Sequence, residues 1–136
     1  MKGYLLVRAE GKAYGLPVNR VLEVGDVGEV LDVPRALPAV RGLTPLRGRL
    51  VPLVHLAAFL TGKAAPPVPE RRTVVLVELG GRQVALEVDE ADAVVREQPL
   101  PVPRGQMLPW AAGVAEGAEG ELVPILDFDA LSEKLA

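Results

Sequence analysis

The 136-residue chain has no cysteine, one histidine (His55) and one serine (Ser132). Without cysteine there is no disulfide, no thiolate nucleophile and no zinc-thiolate site. A single histidine cannot build a multi-histidine metal centre or both ends of a proton relay. Ser132 lies four residues from the C-terminus, a poor place for a triad nucleophile. Aromatic residues number five (Tyr4, Tyr14, Phe59, Trp110, Phe128), too few for a base-stacking platform. The net charge of −3 argues against broad nucleic-acid binding. No apolar run approaches the roughly 18 residues that span a bilayer. Arg8 and Glu10 cut short the apolar N-terminus, so no signal-peptide core forms and a cytoplasmic protein is expected.

Valine and leucine are what the chain has in abundance, 21 of each. Glycine and proline, 14 and 13, punctuate them every eight to twelve residues, the pattern of a mostly β protein. Tyr4 to Arg8 and Ala13 to Pro17 read as strands around the turn Glu10-Gly11-Lys12. Val74 to Leu79 and Gln83 to Val88 read as a second hairpin around Gly80-Gly81. Arg49 to Leu56 and Glu121 to Phe128 are two further strands. Pro52 and Pro124 lack the ladder donor, which predicts an edge or a bulge at each. Thr61 to Glu70 reads as the main linker. Leu131 and Leu135, four apart, predict a short helix over 127–135.

The chain repeats itself. A shift of 70 brings Val7, Gly11, Leu16, Val18 and Val24 onto Val77, Gly81, Leu86, Val88 and Val94. A shift of 71 brings Gly42-Leu43 onto Gly113-Val114. A shift of 72 brings Gly48, Leu50, Val51 and Pro52 onto Gly120, Leu122, Val123 and Pro124. Two halves result, 1–68 and 69–136, each the size of a small five-stranded barrel and marginal alone, so they should pack together. Terminal strands could cross between them. The first half carries nine basic and five acidic groups and the second six and thirteen, hence +4 and −7. Such segregation can steer partners or order head-to-tail contacts.

Three segments resemble CheW-like chemotaxis coupling domains. Val40 to Leu56 is similar to the family pattern R-G-x-x-N-L-R-G-x-x-x-P-V-x-D-L. Tyr14-Gly15-Leu16-Pro17-Val18, with Val21 and Glu23, resembles Y-G-I-x-V-x-x-V-x-E-V. Gly113-Val114 and Gly120 to Asp127 resemble the C-terminal G-V…L-D motif. Pro45 stands where the family usually has asparagine and His55 where it usually has aspartate; Asp127, the counterpart of His55, keeps the acid. The resemblance spans the chain. It implies a single domain of two intertwined, five-stranded SH3-like β-barrel lobes packed together, with short helices including one at the C-terminus. It implies a non-enzymatic adaptor linking methyl-accepting receptors to the regulatory domain of a CheA-type histidine kinase. A counterpart in a non-flagellar pathway, such as that of type IV pili, is the alternative. The adaptor would be recruited to receptor arrays, without a cofactor and without inserting into the membrane.

By the same resemblance Arg47 belongs to the coupling surface and pairs with Glu23, its planar fork suited to a carboxylate. Val18, Val21, Leu22 and Val24 would line a groove for a receptor helix, with core packing as the other reading. Gly42, Gly48, Gly113 and Gly120 are expected to serve backbone geometry. His55 has no metal or catalytic partners in the sequence. Asp89, Glu90 and Asp92, and Asp127 with Asp129, lack the spacing of a calcium loop. A solvated face explains them better than an acid–base enzyme, and Asp127 is also placed to cap the last helix.

Overall fold

A computed structural model describes residues 3–32, 37–67, 72–97, 99–102, 109–117 and 119–135. Ten strands form two five-stranded sheets. In chain order they are β1 (Tyr4–Ala9), β2 (Lys12–Pro17), β3 (Val21–Asp26), β4 (Val40–Leu46), β5 (Arg49–His55), β6 (Thr73–Leu79), β7 (Arg82–Val88), β8 (Glu90–Val95), β9 (Ala111–Glu116) and β10 (Leu122–Leu126). A 3₁₀ turn (Val18–Arg20) precedes β3, helix α1 (Leu56–Thr61) follows β5, and helix α2 (Phe128–Leu135) follows β10.

The repeat is visible element by element: β1 to β5 and α1 in the first half match β6 to β10 and α2 in the second. The sheets do not follow the halves. One sheet runs β8-β1-β2-β10-β9 and the other β3-β6-β7-β5-β4. The leading hairpin of each half therefore joins the last three strands of the other. The second sheet is built wholly from residues 21–88 and is called the central lobe here. The first takes strands from both flanks and is called the terminal lobe. Residues 18–88 carry nine basic and seven acidic groups and the flanks six and eleven, so the lobes hold +2 and −5.

Strand neighbours explain the prolines. β5 and β10 are internal, each paired on both sides. Yet β7 pairs with β5 only from Leu53 onward, and β2 meets β10 at Ile125. Pro52 and Pro124 sit one residue earlier, where the strand is still an edge on that side. Two expected strands end early: Leu56 opens α1, and Phe128 opens α2. The helix α1 was not legible in the sequence because Leu56 to Leu60 is apolar throughout and buried on every side.

Three clusters hold the fold. The largest lies between the lobes and joins Val7, Leu16, Val54, Val75, Leu86 and Leu126 with the buried faces of α1 and α2. Tyr4, Val123 and Ile125 fill the terminal lobe. Leu53, Leu76 and Ala85 fill the central lobe. Lys134 on α2 donates to the Phe59 carbonyl at 3.1 Å and lies 5.3 Å from the centre of its ring, tying the helices together.

Each sheet is curled shut by the chain that follows its edge strand. After β3, Leu31 and Leu43 exchange backbone hydrogen bonds of 2.7 and 2.9 Å. After β8, Leu100 and Val114 exchange two of 2.8 Å. The buried Thr44 hydroxyl fastens the first closure by donating to the Glu29 carbonyl at 2.7 Å.

Candidate functional site

Closure of the central lobe makes the site. β3 and β4 are opposite edges of one sheet, yet the β4–β5 turn bends back to β3. There Arg47 Nε lies 3.2 Å from Glu23 Oε1, with both side chains about half exposed. Arg47 has φ 52° and Gly48 φ 74°, the two left-handed residues of a type I′ turn. Glu10 has φ 51° in the β1–β2 turn, so this backbone state belongs to two-residue hairpins in general.

The four apolar groove residues separate. Val21 packs against the inter-lobe core, and Val18 is half-buried in the 3₁₀ turn. Leu22 and Val24 face outward, 40% and 47% exposed. β3 is thus an edge strand with an apolar outer face. A register shift between Val21 and Glu23 breaks its ladder to β6, as edge strands often do. Glu23, between Leu22 and Val24 in sequence, pairs with Leu76 and so turns to the opposite side of the strand from Val24, which pairs with Val75; the Glu23–Arg47 pair borders the apolar face at the strand edge.

The four glycines divide into two kinds. Gly48 and Gly120, with φ 74° and 81°, shape hairpin turns. Gly42 and Gly113 are where the closing segments cross. A Cβ on Gly42 would overlap the Leu31 carbonyl, and one on Gly113 would come within 2.8 Å of the Leu100 carbonyl oxygen.

His55 is buried and its Nδ1 accepts the Ala58 N–H at 3.1 Å. It caps α1 as Asp127 Oδ1 caps α2 through Ala130 N–H, also at 3.1 Å. The two residues occupy equivalent places in the repeat and perform the same task. Three of the other acidic groups lie beside arginines: Arg8 is 3.8 Å from Glu90 and 3.9 Å from Asp92, and Arg20 is 3.5 Å from Asp129, while Asp89 accepts the Gly11 N–H at 3.4 Å. Among the described residues no group of three or more His, Cys, Asp or Glu is placed to hold a metal.

Sequence reasoning missed one buried pair. Arg41 donates to Glu87 through Nε (2.6 Å) and Nη2 (3.1 Å), and through Nη1 to the Pro66 carbonyl at 2.6 Å. Both side chains are under 10% exposed. Removing either partner would strand the other charge, at a cost of about 3–5 kcal/mol. The signal was available: Glu87 interrupts an otherwise apolar run in β7. The Tyr14–Trp110 edge-to-face pair, 5.9 Å between centroids, was also missed. Burial raises the Tyr14 hydroxyl pKa above 10.0, and the nearby Glu10 charge adds to the effect. Burial, then Glu97, does the same to Tyr4.

Two five-stranded SH3-like lobes around one shared core define a two-lobed β scaffold. A family model for the CheW-like domain matches residues 3–136, and the chain belongs to that family of coupling and scaffold proteins. The fold is similar to the crystal structure of the scaffolding protein TtCheW from Thermoanaerobacter tengcongensis, with a TM-score of 0.81. The match covers 96% of this chain and 91% of that one, at 21% identity. Protein PilI of Pseudomonas aeruginosa is 41% identical over 76 residues. That alignment covers 52% of this chain and 42% of PilI, so the chain spans less than half of its relative. No helix among the described residues is long and apolar enough to cross a membrane.

Proposed function

We propose that the chain is an adaptor in a two-component signalling pathway, joining the helical tip of a methyl-accepting receptor to the regulatory domain of a CheA-type histidine kinase. The observation that carries this reading is the outer face of β3. Leu22 and Val24 are exposed beside the Glu23–Arg47 pair, which suits an amphipathic helix that needs an apolar seat and a charged anchor. Recruitment to receptor arrays follows from such binding and needs no membrane insertion. The role requires no catalysis and no cofactor. The likeness to protein PilI favours a non-flagellar pathway, such as one serving type IV pili, as the second reading.

Arg47→Asp tests the assignment. The exposed pair contributes little to folding, within about 1 kcal/mol. Receptor-tip or kinase-domain affinity should fall at least about tenfold, the loss of roughly 1.4 kcal/mol, while the melting curve stays close to wild type. Unchanged binding to both partners in calorimetry would remove Arg47 from the coupling surface. Genomic neighbours encoding pilus or flagellar components decide between the pathways.

A further inference from the structure

Two grooves on the terminal lobe share a wall. The first, of about 500 Å³, lies between the β1–β2 turn and the β9–β10 hairpin, with Tyr14, Trp110, Leu60 and Leu122 among its apolar lining. The second, of about 350 Å³, opens beside Tyr4 and holds Glu97 and Glu116. Arg8, Ala13, Glu119 and Glu121 line both. Charges balance in the first groove, where Arg8 and Lys12 stand against Glu119 and Glu121. The second sets four glutamates against Arg8, which already lies beside Glu90 and Asp92. Glu121 serves its own turn by accepting the Glu119 N–H at 3.1 Å. The exposed Glu119 carboxylate has no ion pair among the described residues.

Tyr14 is 6% exposed, and its ring packs edge-on against Trp110. Neither the Tyr14 hydroxyl nor the Trp110 indole N–H has a hydrogen-bond partner among the described residues. The one buried side-chain polar atom without a partner there is Gln83 Oε1, so both of these donors reach solvent, and both residues line the first groove. Two unanswered donors thus border an aromatic seat. A helix cannot answer them, because its carbonyls are already paired within it. A polyproline II segment can: it makes no internal hydrogen bonds, presents its carbonyls free and stacks its rings on aromatic walls.

We infer that the terminal lobe binds a proline-rich segment of a partner protein, its prolines seated on Tyr14 and Trp110 and a flanking arginine directed into the acidic groove. The planar guanidinium suits the carboxylates there. Lys12 and Arg8 disfavour a third cation in the first groove, which sends the arginine to the second. This surface is separate from the β3 edge, and the inference does not rest on the receptor and kinase reading.

Trp110 is the only tryptophan, so its fluorescence reports on the groove directly. The full chain is titrated with the synthetic peptide Ala-Pro-Pro-Val-Pro-Pro-Arg-Arg. A saturable change with a Kd below about 1 mM is expected. Replacing the prolines by alanine, or the arginines by glutamate, should weaken binding at least about tenfold. Tyr14→Phe keeps the ring and removes the donor, and should weaken it about fivefold. Glu119→Lys alters an exposed turn and should leave the fold intact by circular dichroism. It should weaken the arginine peptide at least about tenfold and leave Ala-Pro-Pro-Val-Pro-Pro-Ala-Ala unaffected. No saturable change up to about 5 mM would overturn the proposal, as would equal binding of the proline-free peptide. Equal loss of both peptides in Glu119→Lys would overturn the placing of the arginine. Self-association of the chain that is lost in Tyr14→Phe would overturn the partner and give the groove to proline-rich residues of a second copy.

Discussion

His55 shows how a departure from a family pattern can preserve a physical role. The family usually has aspartate there, and aspartate does persist at Asp127. Both side chains offer one acceptor to the N–H three residues on, at the same 3.1 Å. Asparagine can do likewise, whereas alanine cannot. His55→Asn should therefore stay within about 0.5 kcal/mol of wild type, and His55→Ala should lose about 1–2 kcal/mol through the lost cap. Urea unfolding curves measure both, and equal stability of the two variants would remove the capping role. That His55 is a structural or surface residue without catalytic motif neighbours in the chain was the reading legible from the sequence, and its buried position agrees with a structural one. Its role as a cap was not, because the run after it gave no sign that a helix begins at Leu56.

Among the elements, the closing segments decide the shape of each lobe. The sequence showed glycine at 42 and 113 and their place in the repeat. It could not show what crosses them, since Leu31 and Leu100 lie 11 and 13 residues away and carry no pairing signal of their own. Gly42 has φ 151° and no room for a Cβ. Gly42→Ala should therefore destabilise by more than about 2 kcal/mol, because backbone must move and strain is added. Gly113→Ala has the same cause in the terminal lobe and should also destabilise. Gly11→Ala is the control: its turn is strained by a positive φ, but nothing lies within 4 Å of the added carbon, so its loss should be smaller. Thermal melts rank the three, and a Gly42 variant as stable as wild type would mean the closure opens freely. β3 illustrates the other limit of sequence reading. Its three valines and leucines looked alike, and only the edge position and the broken register send Val21 inward and Leu22 and Val24 outward.

At the scale of the molecule, the halves seen in the sequence are real repeats but are not the units that fold. The sequence carried strand order and hairpins because these are local. Which hairpin joins which sheet depends on packing between residues some 70 apart, and a repeat is equally compatible with either arrangement. The exchange changes the charge distribution from +4 and −7 by half to +2 and −5 by lobe. It also makes each lobe dependent on both sides of the linker. Fragments 1–66 and 67–136 should each be largely unfolded, since neither contains a complete sheet, and should regain β-sheet circular dichroism when mixed. Either fragment folding alone would contradict the interleaving.

The same topology sets an order of events at the ribosome. The central lobe is contiguous, so its five strands are available once residue 88 has cleared the exit tunnel. The β1–β2 hairpin emerges before the central lobe but is completed after it, because its partners β8 and β10 both follow residue 88. Through most of translation the N-terminal hairpin keeps both flanks open, on Tyr4–Ala9 and Lys12–Pro17, with Leu5, Val7 and Leu16 uncovered. That interval is when a nascent chain is most exposed to mispairing with its neighbours on a polysome.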